Sequence, residues 1–262
     1  MKREGIRLAI IGGCAASQKG MPLSRLYHRI LSARWKEESG NRLRIILDRY
    51  EQNIEYAPRV KRCLERESVD AVLIHVRPSP YLFRCKPLVR YADASGRNRW
   101  ALHPKLHPLA ANAWDPSWDG ATMMESGTQA ANAYPAFKSS RLRGLHASLG
   151  MALGLGRWSR RQEMGNLTDA SKLCKAYGKR LYILGPTPFL RSPAENRLCQ
   201  ELSFSLRRCF TGTDTVFIDT FWRDRKDVKS LFMPDLWHLS PEGHARLADT
   251  LFNSLRTSLI PF

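Results

Sequence analysis

"LFMPDLWHLSPEGHARLADTL", residues 231 to 251, is the stretch on which the fold and the chemistry turn. Asp235 stands three residues before His238. On a loop that opens a helix, that spacing lets a carboxylate orient the imidazole through a direct hydrogen bond. Ser240 reads as a helix N-cap with Pro241 in the first turn behind it. Ala245, Leu247, Ala248, Leu251 and Phe252 then repeat at helical spacing. An isolated D-x-x-H pair also arises by chance, so the pair alone leaves a structural role open.

Working outward, five short runs rich in Ile, Leu, Val and Phe are bounded by turn or charged residues. They are Leu8–Ile11, Leu43–Leu47, Ala71–Val76, Leu181–Leu184 and Thr215–Ile218. Continuous apolar runs of this length suit strands buried on both faces, as in a parallel sheet. Helical stripes lie between them: Leu23, Leu26, Tyr27, Ile30 and Leu31; Val60, Cys63 and Leu64; Leu167, Ala170, Leu173, Cys174 and Tyr177. Alternating strands and helices predict an α/β sandwich. Residues 78 to about 162 break the rhythm and are rich in Pro, Gly, Asn and Trp. A connection of this length predicts an inserted cap with helix of its own, leaving from the ligand-binding edge of the sheet.

The first run ends in "RLAIIGGCAAS", residues 7 to 17. Glycines after a buried strand mean a tight turn or a close approach. Cys14 there reads as a lipid-anchored residue, a buried filler or a nucleophile at a strand tip. The apolar run before it, Leu8 to Ile11, is shorter than the roughly 7–15 residues of a signal h-region, which sets the lipid reading aside.

The segment around Asp235 and His238 closely resembles the last block of the SGNH (GDSL-type) hydrolase family, "DxxHLSxxGH". In that family the Asp and His of this block are the acid and base of a catalytic triad. "RLAIIGGC" resembles the first block, a strand ending in Gly-Asp-Ser, with Gly12, Gly13 and Cys14 in register. "NLTDASKLCKAYGKRLYILGPTP" and "TVFIDT" resemble the later helix and strands, so residues 6–77 and 163–258 are covered. The resemblance implies a three-layer α/β/α sandwich, flavodoxin-like, with a five-stranded parallel sheet. It also implies one domain over residues 1–262, interrupted by the insertion at about 78–162.

The departures from the family are informative. Cysteine replaces the nucleophilic serine, Gly13 replaces the Asp before it, and the second-block glycine has no counterpart in "LDRYEQNIEY". Matching "DAVLIHVRPSP" to the third block puts Arg77 and Ser79 at its glycine and asparagine. Gly13, Arg77 and Ser79 are therefore the candidate oxyanion or substrate-binding residues. A Ser hydroxyl or an Arg guanidinium could stabilise an oxyanion. The Arg equally suits a substrate carboxylate or phosphate, or a structural ion pair.

A thiol beside an imidazole ionises far more readily than a hydroxyl, and the thiolate is the reactive species. His238 would deprotonate Cys14 and Asp235 would hold the imidazole tautomer. The acyl-enzyme would be a thioester, which makes acyl transfer a rival to hydrolysis. Ser17 is a weaker alternative nucleophile. The resemblance implies an acyl ester or acylated carbohydrate as substrate, with no cofactor and no metal. The alternative is an inactive protein of this fold that binds an anionic glycan or nucleic acid.

Composition constrains the partners. With 43% hydrophobic and 25% charged residues the chain reads as globular, and no apolar run is long enough to span a bilayer. Its net charge is +18, and residues 84–161 carry twelve Lys or Arg against four Asp or Glu. This allows an anionic ligand, but no zinc-finger, zipper or RNA-recognition signature accompanies the charge to indicate nucleic acid. Six scattered cysteines suggest reduced thiols in a cytoplasm. His103 and His107 sit four apart, but Pro104 and Pro108 argue against a helical metal site. "GMALGLG" lacks a following Lys-Ser/Thr and reads as close helix packing. His75 reads as a packed strand residue. Trp100, Trp114, Trp118 and Trp158 read as packing within the insertion or as a stacking surface for a sugar or acyl group.

Overall fold

All five apolar runs are strands, and they pair in one parallel sheet. The computed structural model describes residues 5–12, 21–49, 55–92, 98–103, 105–106, 141–222 and 227–259. Gly13, Cys14, Ser17, His107, Trp114 and Trp118 lie outside the described residues, as does most of the stretch between 104 and 140. The elements in chain order are β1 (Ile6–Gly12), α1 (Tyr27–Ser39), β2 (Leu43–Arg49), α2 (Tyr56–Arg66), β3 (Ala71–His75), α3 (Pro78–Arg84), β4 (Leu88–Ala92) and β5 (Asn98–Leu102). There follow α4 (Arg141–Ala152), α5 (Leu155–Ala176), β6 (Arg180–Leu184), α6 (Pro193–Phe210), β7 (Val216–Ile218) and α7 (Pro241–Leu259).

The sheet order is β2-β1-β3-β6-β7. Alternation along each central strand builds the two outer layers, because successive side chains point to opposite faces. Leu8 and Ile10 of β1, Leu73 of β3 and Tyr182 of β6 face one cluster, with Leu31 and Trp35 of α1 and Leu247 and Leu251 of α7. Ala9 and Ile11, Val72 and Ile74, and Leu181 and Ile183 face the other, against α2, α5 and α6. The chain steps from β1 outward to β2 and then back across to β3, so the order reverses beside β1. In open α/β sheets that reversal leaves a crevice at the carboxyl ends of the strands.

Between residues 78 and 162 the described residues include the helices α3 and α4 and the start of α5. Besides helix, this region contains an antiparallel hairpin in which Leu88 pairs with Leu102 and Ala92 with Asn98. Its far boundary at about 162 falls inside α5, which starts at Leu155 after Gly154 in the left-handed conformation. A buried ion pair ties the region to the body: Arg84 Nη2 lies 2.5 Å from Glu163 Oε2, and the Tyr56 hydroxyl donates to Glu163 Oε1 at 2.6 Å.

Two glycines of "GMALGLG", Gly150 and Gly156, serve close packing, while Gly154 supplies the left-handed turn before α5. A Cβ on Gly150 would lie 1.8 Å from the Cys85 carbonyl oxygen, and one on Gly156 would lie 2.7 Å from Leu198. The Cys85 contact is backbone and cannot swing aside. Gly150→Ala is therefore expected to destabilise by about 2 kcal/mol, read as a lower urea midpoint with unchanged slope. A midpoint equal to the parent's would show that α4 does not pack this closely.

Candidate active site

The Asp–His loop follows β7 and is held by its own short-range hydrogen bonds. Asp235 Oδ1 accepts the backbone N–H groups of Trp237 and His238, both at 3.0 Å. Met233 N–H donates to the His238 carbonyl at 2.7 Å, and Leu236 N–H to the Met233 carbonyl at 2.8 Å. The tight path puts Leu236 at φ 56°, a left-handed conformation that a leucine adopts only under constraint from its surroundings. Ser240 caps α7: its Oγ accepts the Gly243 N–H at 3.1 Å and donates to the Ser230 carbonyl at 2.7 Å.

This frame brings His238 Nδ1 to 2.7 Å from Asp235 Oδ2. The Asp235 side chain is 5% exposed and that of His238 13%. Burial alone would push the Asp235 carboxyl up. Hydrogen bonds from the His238 ring and from the backbone of His238 and Trp237 outweigh it, so the carboxyl is held below the ordinary range. Asp235 is thus an anion at neutral pH, fit to orient and stabilise an imidazolium.

Two neighbours were not read from the sequence. Arg191, between β6 and α6, donates from Nε to the Asp235 carbonyl at 2.7 Å and from Nη2 to Asp235 Oδ2 at 3.1 Å. Its guanidinium lies over the Trp237 ring, 4.8 Å from the centroid, and that ring sits 4.7 Å from the His238 ring. The only local signal is the adjoining Ser192-Pro193-Ala194-Glu195, a capping-box pattern that starts α6 and so fixes where the loop ends. The second neighbour is a group of buried aromatic and imidazole rings. Tyr27 stacks on His244 with centroids 6.2 Å apart and meets the edges of His28 and His75. The Tyr27 N–H donates to His244 Nδ1 at 3.3 Å.

Of the other candidates, Arg77 and Ser79 are described and follow β3 directly. Arg77 precedes the first turn of α3, just after β3, and its charge disfavours protonation of His75. Ser79 is in that turn, with its Oγ enclosed and without a hydrogen-bond partner among the described residues. Cys14 comes two residues after the end of β1 in the sequence. His75 is buried at the end of β3, as read from the sequence, and His103 packs edge-on against Trp158 at 4.9 Å. Asp48, at the end of β2, pairs with Arg59 at 2.9 Å. Burial pushes the thiols of Cys63 and Cys85 up to about 11 and that of Cys174 to about 12, so they stay protonated. Among the described residues no three His, Cys, Asp or Glu converge on a possible metal, and no helix is long and apolar enough to cross a membrane.

Solved structures share this architecture over nearly the whole chain. TesA matches at TM-score 0.55 with 13% identity, covering 96% of this chain and 98% of its own. The lipase Lip_vut3 from goat rumen metagenome matches at TM-score 0.56 with 10% identity, over 95% and 97%. A catalytic mutant of Axe2, an acetylxylan esterase from Geobacillus stearothermophilus, matches at TM-score 0.55 with 12% identity, over 96% and 94%. This chain shares the fold of these three proteins. At such low identity the likeness speaks for the fold alone. No protein-family profile and no curated protein sequence matches the chain.

Proposed function

We propose that this chain is an SGNH-type ester hydrolase or acyltransferase using Cys14, His238 and Asp235. The observation that carries the reading is the 2.7 Å contact of His238 Nδ1 with the buried Asp235 carboxylate, on the loop after the last parallel strand. In this reading Nε2 of His238 takes the Cys14 proton, and the thiolate sulfur attacks the ester carbonyl carbon. Gly13, Arg77 and Ser79 are the candidates to receive the oxyanion. The tetrahedral adduct collapses by breaking the C–O bond, and the His238 imidazolium protonates the departing alkoxide. Water or an acceptor nucleophile, deprotonated by His238, then attacks the thioester carbonyl, and the C–S bond breaks to restore the thiol. A small acyl ester or an acylated sugar fits this chemistry. Arg77, together with the net charge of +18, supports an anionic group on the substrate.

The acyl-enzyme is directly testable. Cys209 is exposed, so the protein is used as a Cys209→Ser variant to remove that competing thiol. Treated with p-nitrophenyl acetate, it is expected to gain about 42 Da, one acetyl group, in intact-mass spectra. The gain should disappear in Cys14→Ala and in His238→Ala. Absence of the adduct, with an ordinary iodoacetamide rate at Cys14, would overturn the nucleophile assignment. Steeply salt-dependent retention on heparin without acyl chemistry would favour the anion-binding alternative instead.

A further inference from the structure

Arg191 occupies a position that the sequence motifs do not account for. Its guanidinium and the His238 ring share one acceptor, Asp235 Oδ2, at 3.1 and 2.7 Å. A second arm, Nε to the Asp235 carbonyl at 2.7 Å, fixes the backbone of the same residue. The Trp237 ring completes the clamp, lying under the guanidinium and tilted 35° to the imidazole. The Arg191 side chain is 16% exposed and that of Asp235 5%, so water screens this contact only partly.

We propose that Arg191 is a positioning residue that clamps Asp235 and holds down the basicity of His238. The physics is direct. A carboxylate already neutralised by a guanidinium stabilises an imidazolium less well, and the guanidinium itself repels the new positive charge. Other titratable groups lie near His238 among the described residues. His244 of α7 couples to it, and beyond His244 stand His28, His75 and, next to His75, Arg77. Burial keeps His75 and His244 neutral, so neither supplies the positive charge that Arg191 places beside Asp235.

The consequence reaches the nucleophile. A weakened imidazole is a poor base for a hydroxyl but an adequate one for a thiol, whose ordinary pKa near 8.5 lies far below that of an alcohol. The clamp therefore suits cysteine at position 14. The proposal rests on the reading of His238 as the catalytic base, yet its test does not need turnover.

The experiment is an NMR titration of the His238 ring in isotope-labelled protein, with the signal assigned by its loss in His238→Gln. Arg191→Met is expected to raise the His238 pKa by about one unit. Arg191→Lys keeps the cation and should stay within about 0.3 unit of the parent, although it cannot reproduce both arms of the clamp. Arg191→Gln is the second neutral variant, should Arg191→Met fold poorly, and is expected to shift as Met does. A His238 pKa that is unchanged or lower in the neutral variants would overturn the proposal, as would a shift in Lys as large as that in Met. The acid limb of the p-nitrophenyl acetate profile should move with the NMR value. If the parent forms no Cys14 adduct, the catalytic reading fails while the titration still decides the role of Arg191.

Discussion

The Asp235→Asn variant is expected to hydrolyse p-nitrophenyl acetate about a thousand-fold more slowly than the parent, measured as kcat/KM. The size of the loss follows from what the carboxylate receives. Oδ1 accepts two backbone N–H groups, while Oδ2 accepts the His238 ring and the Arg191 guanidinium. Every partner is a donor, and an amide offers only one oxygen. If the Asn oxygen keeps the backbone pair, its NH2 faces His238 Nδ1 and the guanidinium. The ring must then carry its proton on Nε2, the nitrogen that has to accept one from the nucleophile. If the amide flips, the NH2 confronts two backbone N–H groups and the loop loses its brace. Either outcome removes the base that the proposed reaction requires. Circular dichroism matching the parent, together with a kcat/KM within threefold, would show that Asp235 does not serve His238 in catalysis.

Acid is expected to destabilise the protein well before its carboxylates neutralise. Burial, aided by the charges of Arg77 and His244, lowers the His75 pKa from 6.5 to about 3. Burial, with His28 and His238 nearby, lowers that of His244 from 6.5 to about 4. Both rings are neutral in the fold, whereas the unfolded chain protonates them below about 6.5. Their contribution to stability is thus complete above that pH and is lost as pH falls toward the folded values. Two such groups remove about 4 kcal/mol between pH 7.5 and pH 5, read from urea unfolding across that range. His244→Asn keeps an acceptor for the Tyr27 N–H and should roughly halve the loss. A flat profile in the parent would mean that these rings are not neutral and buried together.

Several features were legible in the sequence because their causes are local. Leu8 to Ile11 and Ala71 to Ile74 are apolar at every position because both faces of β1 and β3 are covered by helices. Asp235 and His238 are brought together by a turn of three residues, so spacing was enough to suggest the pair. Ser240 and Pro241 likewise marked the start of α7. The hairpin of β4 and β5 was less clear, because its flanking Pro and Gly residues blended into a stretch that looked irregular throughout. The first two turns of α5 were hidden for a different reason. Ser159 and Glu163 look solvent-facing in the sequence, yet Ser159 Oγ donates to the Arg84 carbonyl at 2.7 Å and Glu163 is buried against Arg84 and Tyr56.

The sequence by itself determined the parallel α/β layering and the placing of the Asp–His loop after the last strand. Each is written in the identity of neighbouring residues or in a period of two to four. The tertiary structure alone decided that Arg191 clamps Asp235 from 44 residues away and that Tyr27 lies on His244 across 217. No local pattern encodes those contacts. They exist because strand crossovers carry distant loops to the same edge of the sheet, where buried charges and rings must find partners or stay neutral.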